Sequence, residues 1–338
     1  MTDLLRVEYG LTLVGIETSC DETAVALLRD GEISASVVVA QNDIHRDFGG
    51  VVPELASRAH SRAITRAIRE VMEYAEGVSL DGIAVTSGPG LAGPLMVGVA
   101  AAKALSLSKN VPLIGVDHME GHLFAATLVE PVALPAIVLL VSGGHTELLA
   151  IDAPGIYRYL GGTIDDAAGE AFDKAARMLG LGFPGGPEIE RLAATSVGPV
   201  TFTFPRALAH HGLDLSFSGP KTAVVNYLRA HRDADPAHVA YAFQEAVVDA
   251  LIIKLRRAIK EGFYRSIVIG GGVAANTRLR EETARLAEQT GLRGVIPPRA
   301  LCTDNGAMIA AAGAFRLARG DVAPLALGID PARELAAK

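Results

Sequence analysis

A repeated strand–turn–strand pattern is the feature that most constrains the fold of this 338-residue chain. The first copy spans residues 13–28 and the second spans residues 137–151. In each copy an apolar strand leads through a short polar turn into a second apolar strand, and Ser19 of the first copy corresponds to Ser142 of the second. Two such copies predict a lobe that has been duplicated within one chain.

Helical patterns alternate with strand-like runs around both copies, which predicts an α/β fold. The expected long helices cover residues 54–75, 164–179, 237–261 and 306–319. We expect two lobes that face each other across a central cleft. Lobe I would comprise residues 1–130 with the C-terminal stretch 305–338 returning to it, and lobe II would comprise residues 131–304.

Composition excludes several classes of protein. Cys20 and Cys302 are the only cysteines, so neither a disulfide framework nor a cysteine-rich metal site is expected. No basic and then apolar segment opens the chain, and no apolar run approaches 18 residues without a break. These features predict a soluble cytoplasmic protein without a membrane span. The net charge of −7 argues against a protein that binds nucleic acid unaided.

Two histidines in one short helix suggest a metal site. His118 and His122 are four residues apart, so on a helix both imidazoles point the same way after a strand-like run. Asp304 lies in a polar turn far along the chain. Two histidines and one carboxylate suit iron(II) or zinc and leave positions open for substrate. The histidine spacing alone also has a structural explanation, which stays open at this point.

Glycine-rich loops follow strands at Gly143-Gly144 and at residues 270–272. Backbone without side chains can approach a ligand closely, so these loops suit a phosphate or a nucleotide, although plain structural turns explain them equally well. Neither loop matches a dinucleotide-binding or P-loop motif. Asp173 fits either a ribose contact or a lysine pair, and Asn276 fits either a nucleotide contact or a helix N-cap.

Acidic and basic residues give further candidates. Asp21 and Glu22 lie in the first polar turn, where acids serve metal or acid–base chemistry but are also ordinary turn residues. Two basic groups are candidates for RNA contact, although solvated helix faces explain them as well. The helical stripe consists of Arg58, Arg62, Arg66 and Arg69, and the second group consists of Lys254, Arg256, Arg257 and Lys260.

Seven motifs together resemble one family. They are His118-Met119-Glu120-Gly121-His122 and residues 15–23, 54–60, 88–91, 141–146, 168–174 and 303–306. This set is similar to that of the bacterial TsaD proteins (also called Gcp or YgjD), the tRNA N6-adenosine threonylcarbamoyltransferases. The likeness extends from about residue 12 to 330. It implies the actin/sugar-kinase/heat-shock-70 fold, with duplicated RNase H-like lobes and a central cleft.

The resemblance also implies the reaction. Such an enzyme transfers a threonylcarbamoyl group from threonylcarbamoyl-adenylate to N6 of adenine 37 in tRNAs that read codons beginning with A, and releases AMP. The product is t6A. The family works with a smaller paralogue of the same fold (TsaB-like) and with a P-loop ATPase (TsaE-like), which would supply the RNA affinity that an acidic chain lacks.

The resemblance assigns residues to these roles. It implies that His118, His122 and Asp304 bind one divalent metal, iron(II) or else zinc. The chemistry of the reaction, and not the resemblance, suggests that Asp21 or Glu22 would orient the adenine amine or take its proton. The adenylate site would consist of Leu140, Val141, Ser142, Gly143, Gly144, Asp173, Gly186, Glu190 and Asn276. The likeness is weaker at Glu190, where the family often has Asp.

Three other functions are less consistent with these residues. A small-molecule kinase or carbamoyltransferase of the same fold would hold Mg²⁺ through carboxylates and would not need the histidine pair. A non-catalytic paralogue acting as an interaction module would lack that pair. A metalloprotease would need His-Glu-x-x-His, in which the glutamate directly follows the first histidine, whereas here Met119 follows it.

Overall fold

The computed structural model describes residues 4–337. The strands in this range are β1 (Leu4–Leu5), β2 (Thr12–Glu17), β3 (Glu22–Arg29), β4 (Glu32–Ala40), β5 (Gly82–Gly88), β6 (Leu113–Asp117), β7 (Val132–Ala133), β8 (Ala136–Val141), β9 (Thr146–Ala153), β10 (Ile156–Gly162), β11 (Ser266–Gly270) and β12 (Arg293–Val295). The short strands β1 and β7 pair with each other.

The α-helices in the same range are α1 (Asn42–His45), α2 (Pro53–Glu73), α3 (Ala92–Lys109), α4 (His118–Thr127), α5 (Ala168–Met178), α6 (Gly185–Ala193), α7 (Ser218–Ala230), α8 (Pro236–Glu261), α9 (Thr277–Thr290), α10 (Arg299–Cys302) and α11 (Gly306–Leu317). Two 3₁₀ turns cover Arg46–Phe48 and Gly272–Ala275. None of these described helices combines the length and the apolar character that crossing a membrane requires.

The described chain divides into two compact units. The first unit contains Leu4–Val132 together with Thr303–Leu335, so the last helix, α11, belongs with the N-terminal strands. The second unit contains Ala133–Cys302 with residues 336–337. Each unit has its own hydrophobic core.

The two units repeat one sheet topology. The first sheet has the order β4-β3-β2-β5-β6 and the second has the order β10-β9-β8-β11-β12. In both sheets the three strands that come first in the chain pair antiparallel, and the other two add in parallel. The duplicated α/β lobe predicted from the strand–turn–strand repeat is therefore confirmed.

The cores explain why these segments fold as they do. In the first unit, fully buried residues of β2 such as Ile16 pack with the apolar face of α2, which includes Val71. In the second unit, Leu139 of β8 lies in one cluster with Phe172 and Phe243, whose rings meet edge to face at a centroid distance of 5.5 Å. Both sheets thus bury apolar strands under helices, as the layers of an α/β fold do.

One predicted helix begins later than expected. The sequence predicted a helix over residues 164–179, whereas α5 covers Ala168–Met178. The first residues are held elsewhere, because Ile164 N donates to Leu215 O and the Asp165 carboxylate accepts from Ser216 Oγ. These long-range contacts override the local helical pattern.

Candidate metal centre and glycine-rich site

The helix that carries both histidines begins directly at the end of β6. The Asp117 side chain caps it, since Oδ1 accepts hydrogen bonds from the backbone N–H groups of Met119 at 2.8 Å and Glu120 at 3.2 Å. This cap fixes the first turn of α4, so that His118 and His122 lie one turn apart. Both histidines are buried.

Close backbone contacts bring the distant Asp304 to the same place. Helix α11 begins two residues after Asp304, and its first residue, Gly306, packs directly against the backbone of the sheet. A Cβ on Gly306 would lie 2.4 Å from Ala26 N, and one on Gly15 would lie 2.1 Å from Gly306 O. A Cβ on Gly121 of α4 would lie 2.7 Å from Ile309 Cδ1 of α11. Glycines therefore allow the helices and the sheet to approach closely enough to bring the three side chains together.

The three side chains point their ligand atoms at one another. Asp304 Oδ1 lies 3.5 Å from His118 Nε2 and 3.3 Å from His122 Nε2. The two imidazole rings meet edge to face with centroids 4.7 Å apart. One ligand atom from each residue fits within a mutual distance of 4.8 Å. The predicted trio therefore forms a group that can bind one metal ion.

The imidazole of His122 tests whether a metal fits. Its side chain is completely buried, yet neither Nδ1 nor Nε2 makes a hydrogen bond within the described residues. A buried polar atom without a partner is costly unless another ligand satisfies it. A metal ion bound to Nε2 would give this atom a partner. The 3.3 Å approach of Asp304 Oδ1 to Nε2 does not form a hydrogen bond. The donor set of two imidazoles and a carboxylate matches such an ion.

The buried Glu17 at the end of β2 orients His118. Its Oε2 accepts from His118 Nδ1 at 2.9 Å and from Thr86 Oγ1 at 2.5 Å, and its Oε1 accepts from Ser19 N. An ionised carboxylate only accepts, so His118 carries a proton on Nδ1 and presents Nε2 to the cluster. A carboxylate behind a ligating histidine is a common arrangement in metal sites.

Sequence reasoning missed this role of Glu17. The available signal was an acid that ends the otherwise apolar strand Leu13–Ile16 and therefore lies at the buried end of a sheet.

The electrostatics of the cluster favour a cation. Burial opposes charge on both partners, but Asp304 and Glu17 raise the pKa of His118 to about 10, and His118 lowers the pKa of Glu17. Burial also raises the pKa of Glu22 to about 10, with the carboxylates of Asp304 and Asp21 adding to the rise. Several acids thus share a small volume, and a bound divalent ion would offset their repulsion.

The candidate acid Asp21 lies on the turn that follows Glu17, and the candidate acid Glu22 is the first residue of β3. Both are half-buried, and the Asp21 carbonyl accepts from Gln41 N at 3.1 Å. The turn is supported by the buried His60, whose Nδ1 lies 2.7 Å from Thr23 Oγ1 and whose Nε2 lies 3.0 Å from Cys20 O. His60 therefore ties α2 to this turn.

The second unit contains the glycine-rich candidate site. A Cβ added at Gly143, Gly144, Gly186 or Gly272 would meet no atom within 4 Å, so the backbone there borders open space. Leu140 and Val141 are fully buried, so the backbone that borders open space begins beyond them, at Gly143 and Gly144. This open backbone is the arrangement that close approach of a phosphate or a sugar requires.

Short contacts link the loops that carry the predicted adenylate residues. Gly169 N donates to Ser142 O at 3.2 Å, which joins the start of α5 to the first loop. Asp173, on the same helix, accepts from Gly185 N at 2.6 Å and so caps α6, the helix that contains Gly186. The first loop, α5 and the start of α6 are therefore contiguous.

Asn276 and Glu190 already contact other protein groups. Asn276 Oδ1 caps α9 by accepting from Leu279 N at 3.0 Å, and its Nδ2 donates to Gln244 Oε1 at 2.9 Å. Glu190 Oε1 accepts from Thr277 N at 3.1 Å. The N-cap interpretation of Asn276 is confirmed, and the longer Glu190 side chain reaches the start of the same helix.

The structure removes Lys254 from the second basic group as an RNA contact, because it is buried, whereas Arg256 and Lys260 of the same group are exposed. Lys254 is fully buried, and its ammonium donates to the carbonyl oxygens of Leu208, His211 and Gly212 at 2.5, 2.6 and 3.0 Å. Arg257 donates to Gly212 O at 2.9 Å as well. These groups stabilise the irregular segment before α7. Spacing alone could not reveal this because the segment has no periodic pattern.

Comparison with known proteins gives one consistent family. A family model described as TsaD, tRNA N6-adenosine threonylcarbamoyltransferase, matches residues 32–311. A protein of that name from Geobacillus thermodenitrificans is 50% identical over 329 residues, which cover 94% of this chain and 95% of the relative. Another from Anaeromyxobacter dehalogenans is 51% identical over 333 residues and covers 96% and 99%.

Solved structures that resemble the chain at low identity show the fold. HypF of T. kodakarensis aligns with a TM-score of 0.60 at 16% identity, covering 94% of this chain and 49% of that chain. The Acidaminococcus fermentans (R)-2-hydroxyglutaryl-CoA dehydratase component A aligns with a TM-score of 0.55 at 18% identity, covering 92% and 100%. The expected actin/sugar-kinase/heat-shock-70 fold is confirmed.

Proposed function

The chain belongs to the TsaD family and is a tRNA N6-adenosine threonylcarbamoyltransferase, and we propose that His118, His122 and Asp304 bind the metal of this enzyme. About half of all residues are identical to those of relatives over nearly the full chain. This identity excludes a kinase, a non-catalytic paralogue and a metalloprotease as the better interpretation. The observation that carries the metal assignment is the buried imidazole of His122 without a hydrogen bond.

The donor set favours iron(II), with zinc as the alternative. Two imidazoles and one carboxylate leave coordination positions open, which suits both a non-haem iron(II) site and a catalytic zinc site. When bound, the ion supplies Lewis acidity that stabilises negative charge on a carbonyl or phosphate oxygen. The protein orients the ligands, since Glu17 holds the His118 ring in one tautomer.

The open glycine backbone of the second unit is proposed to bind threonylcarbamoyl-adenylate. Gly143, Gly144 and Gly186 present backbone without a side chain to open space, so N–H groups there can approach a phosphate or ribose. Asp173 holds the start of α6 and so fixes Gly186 relative to α5. Leu140, Val141 and Ser142 shape the same loop, and Asn276 with Glu190 fixes the start of α9.

The reaction needs an activated donor and an oriented amine. The exocyclic N6 of adenine is a weak nucleophile, and the mixed anhydride of the donor makes AMP a good leaving group. The amine attacks the carbamoyl carbon, the bond from this carbon to the phosphate oxygen breaks, and the amine loses a proton. We assign Asp21, on the turn after Glu17, or Glu22, at the start of β3, the role of orienting the amine. The raised pKa of Glu22 keeps it protonated at neutral pH, so the proton acceptor of the pair is Asp21.

Partner proteins are part of the proposal. The net charge of −7 opposes binding to a polyanion, so tRNA affinity needs help from other subunits. A smaller paralogue of the same fold and a P-loop ATPase are the partners that we expect. A tRNA substrate also agrees with the cytoplasmic location expected from the sequence.

Reconstitution with defined components tests the function. The chain, the two partners, unmodified tRNA and threonylcarbamoyl-adenylate are mixed, and nucleosides are identified by mass spectrometry. We expect t6A and stoichiometric AMP, both lost when either the chain or the donor is left out. Anaerobic purification followed by elemental analysis identifies the metal. Transfer by a protein in which the histidine pair is replaced by alanine would contradict the metal assignment.

A further inference from the structure

A cavity in the first unit is lined by none of the proposed metal ligands. It has a volume of about 430 Å³ and lies between the C-terminal segment that follows α11 and the ends of β5 and β6. Cavities of roughly 300–1,000 Å³ are typical of small-molecule sites. Its walls are partly charged and partly aliphatic.

The cavity offers one buried hydrogen-bond acceptor without a partner. Asp117 lines it and is 2% exposed. The Oδ1 atom of this carboxylate is used by the N-terminus of α4, whereas Oδ2 makes no hydrogen bond within the described residues. A buried carboxylate oxygen without a hydrogen bond is energetically costly, and a cationic donor forms the strongest hydrogen bond to it.

The same cavity offers spare donors from Arg333. Its Nη1 donates to Ser87 Oγ at 2.9 Å, and its Nε lies 4.0 Å from Asp330 Oδ2. A guanidinium has five N–H groups, so most of them remain for a ligand. Arg316, which also lines the cavity, is engaged instead by Glu120 and Asp321 at 2.6 Å each.

The wall that carries Arg333 is fixed to the sheet. Asp330 N donates to Ser87 O at 2.8 Å, and Gly90 N donates to Pro331 O at 3.2 Å. Ala323 N donates to Leu113 O at 2.8 Å, and Leu327 N closes a turn onto Pro324 O at 2.9 Å. These bonds hold the C-terminal segment in one conformation. The cavity is therefore built by backbone pairing as well as by side chains.

We propose that this cavity binds an α-amino acid with an aliphatic side chain. The ligand ammonium donates to Asp117 Oδ2, the ligand carboxylate accepts from Arg333, and the side chain packs against Leu327 and Leu335. A simple anion would face the Asp117 carboxylate, and a simple amine would face the Arg333 guanidinium. A zwitterion with an aliphatic chain matches Asp117, Arg333 and the two leucines together. The inference does not rest on the proposed transfer reaction.

Leucine and its two half-molecules test this proposal. The full chain is labelled at leucine and valine methyl groups and titrated with L-leucine, with 3-methylbutylamine, which lacks the carboxylate, and with 4-methylpentanoate, which lacks the amine. We expect saturable shifts at the methyl groups of Val322, Leu327 and Leu335 with L-leucine. Each half-molecule should bind about tenfold more weakly or worse, because each loses one charged hydrogen bond.

Two variants and a control separate this site from binding elsewhere. Asp117→Asn keeps the helix cap, because Asn caps as well as Asp, but replaces the free oxygen by an amide. Arg333→Gln removes the guanidinium, and Arg62→Gln changes an exposed arginine outside the cavity. We expect the first two to weaken leucine binding about tenfold or more and the third to leave it unchanged.

Three results would overturn the proposal. They are the absence of saturable cavity shifts up to about 10 mM L-leucine, equal binding of either half-molecule, and unchanged affinity in Arg333→Gln. A defect in threonylcarbamoyl transfer alone would not bear on it, because the titration measures binding directly.

Discussion

Arg316 Nε donates to Glu120 Oε2 at 2.6 Å, and this ion pair joins the helix that follows Asp304 to the helix that carries both histidines. The Glu120 side chain is 2% exposed, so the pair is held in a region of low polarity. The two helices also approach closely at Gly121. The metal ligands thus depend on the packing of α4 against α11.

We expect Arg316→Met to lower the free energy of unfolding by about 3 kcal/mol, because it removes the guanidinium from a buried carboxylate. The control is Arg319→Met just after the same helix, which removes a half-exposed arginine that lies 3.5 Å over the Phe315 ring. That change should cost about 1 kcal/mol. Urea denaturation measures both, and equal losses would show that the ion pair has no special role.

We expect Glu17→Gln to weaken metal affinity about ten- to a hundredfold, because the residue that orients His118 loses its charge. The fold should persist, since an amide of the same size can still accept from Thr86. Competition with a chelator measures the affinity, and Glu54→Gln on the exposed start of α2 is the control. An affinity equal to that of the control would mean that Glu17 serves the fold alone.

His122→Ala should abolish the dependence of thermal stability on metal. In the unmodified chain a bound metal stabilises the folded state by about 2.7 kcal/mol at a hundredfold excess over Kd, if the unfolded chain does not bind it. The variant loses this gain, whereas His60→Ala changes a buried histidine outside the cluster and should keep it. Differential scanning calorimetry with and without metal measures the melting temperature of each variant. A melting temperature of His122→Ala that still rises with metal would show that this residue is not a ligand.

The two lobes and the histidine pair could be predicted from the sequence, because each is encoded by a pattern within a short segment. The strand–turn–strand repeat gave the two lobes, and helical spacing placed His118 and His122 side by side. The proximity of Asp304 to this pair rested on its residue type, since only the packing of Gly306 and Gly121 brings it there.

Contacts distant in sequence explain what was missed. Lys254 has the spacing of a surface charge, yet an irregular segment buries it through three carbonyl oxygens. The pairing of Asp165 with Ser216 delays the start of α5, and the local helical pattern contains no trace of it. The role of Glu17 was missed for a different reason. The sequence does contain a sign of it, because an acid at the end of an apolar strand indicates a buried polar site.

Gly143→Val should weaken adenylate binding without unfolding the second unit. A Cβ at Gly143 meets nothing within 4 Å, so the side chain would occupy the space proposed for the ligand. A cost of about 1–3 kcal/mol in binding is expected from such crowding. Calorimetric titration with AMP measures it, with Gly182→Val as control because that glycine is also open but lies outside the proposed site. Equal affinity in both variants would remove the Gly143 loop from the adenylate site.

The last prediction concerns tRNA. Because Lys254 is buried, the exposed stripe of Arg58, Arg62, Arg66 and Arg69 becomes the leading candidate for phosphate contacts. The double reversal Arg62→Glu with Arg66→Glu should weaken tRNA binding and reduce the slope of log affinity against log salt by about 1.5–2. The reason is that binding with fewer phosphate contacts releases fewer counterions from the RNA. Lys254→Met should lower stability and leave the slope unchanged. Fluorescence anisotropy of labelled tRNA across a salt series, with and without the partner proteins, measures both. If the double reversal leaves the slope unchanged but prevents assembly with a partner, the stripe is a protein-binding surface and the RNA footprint lies elsewhere.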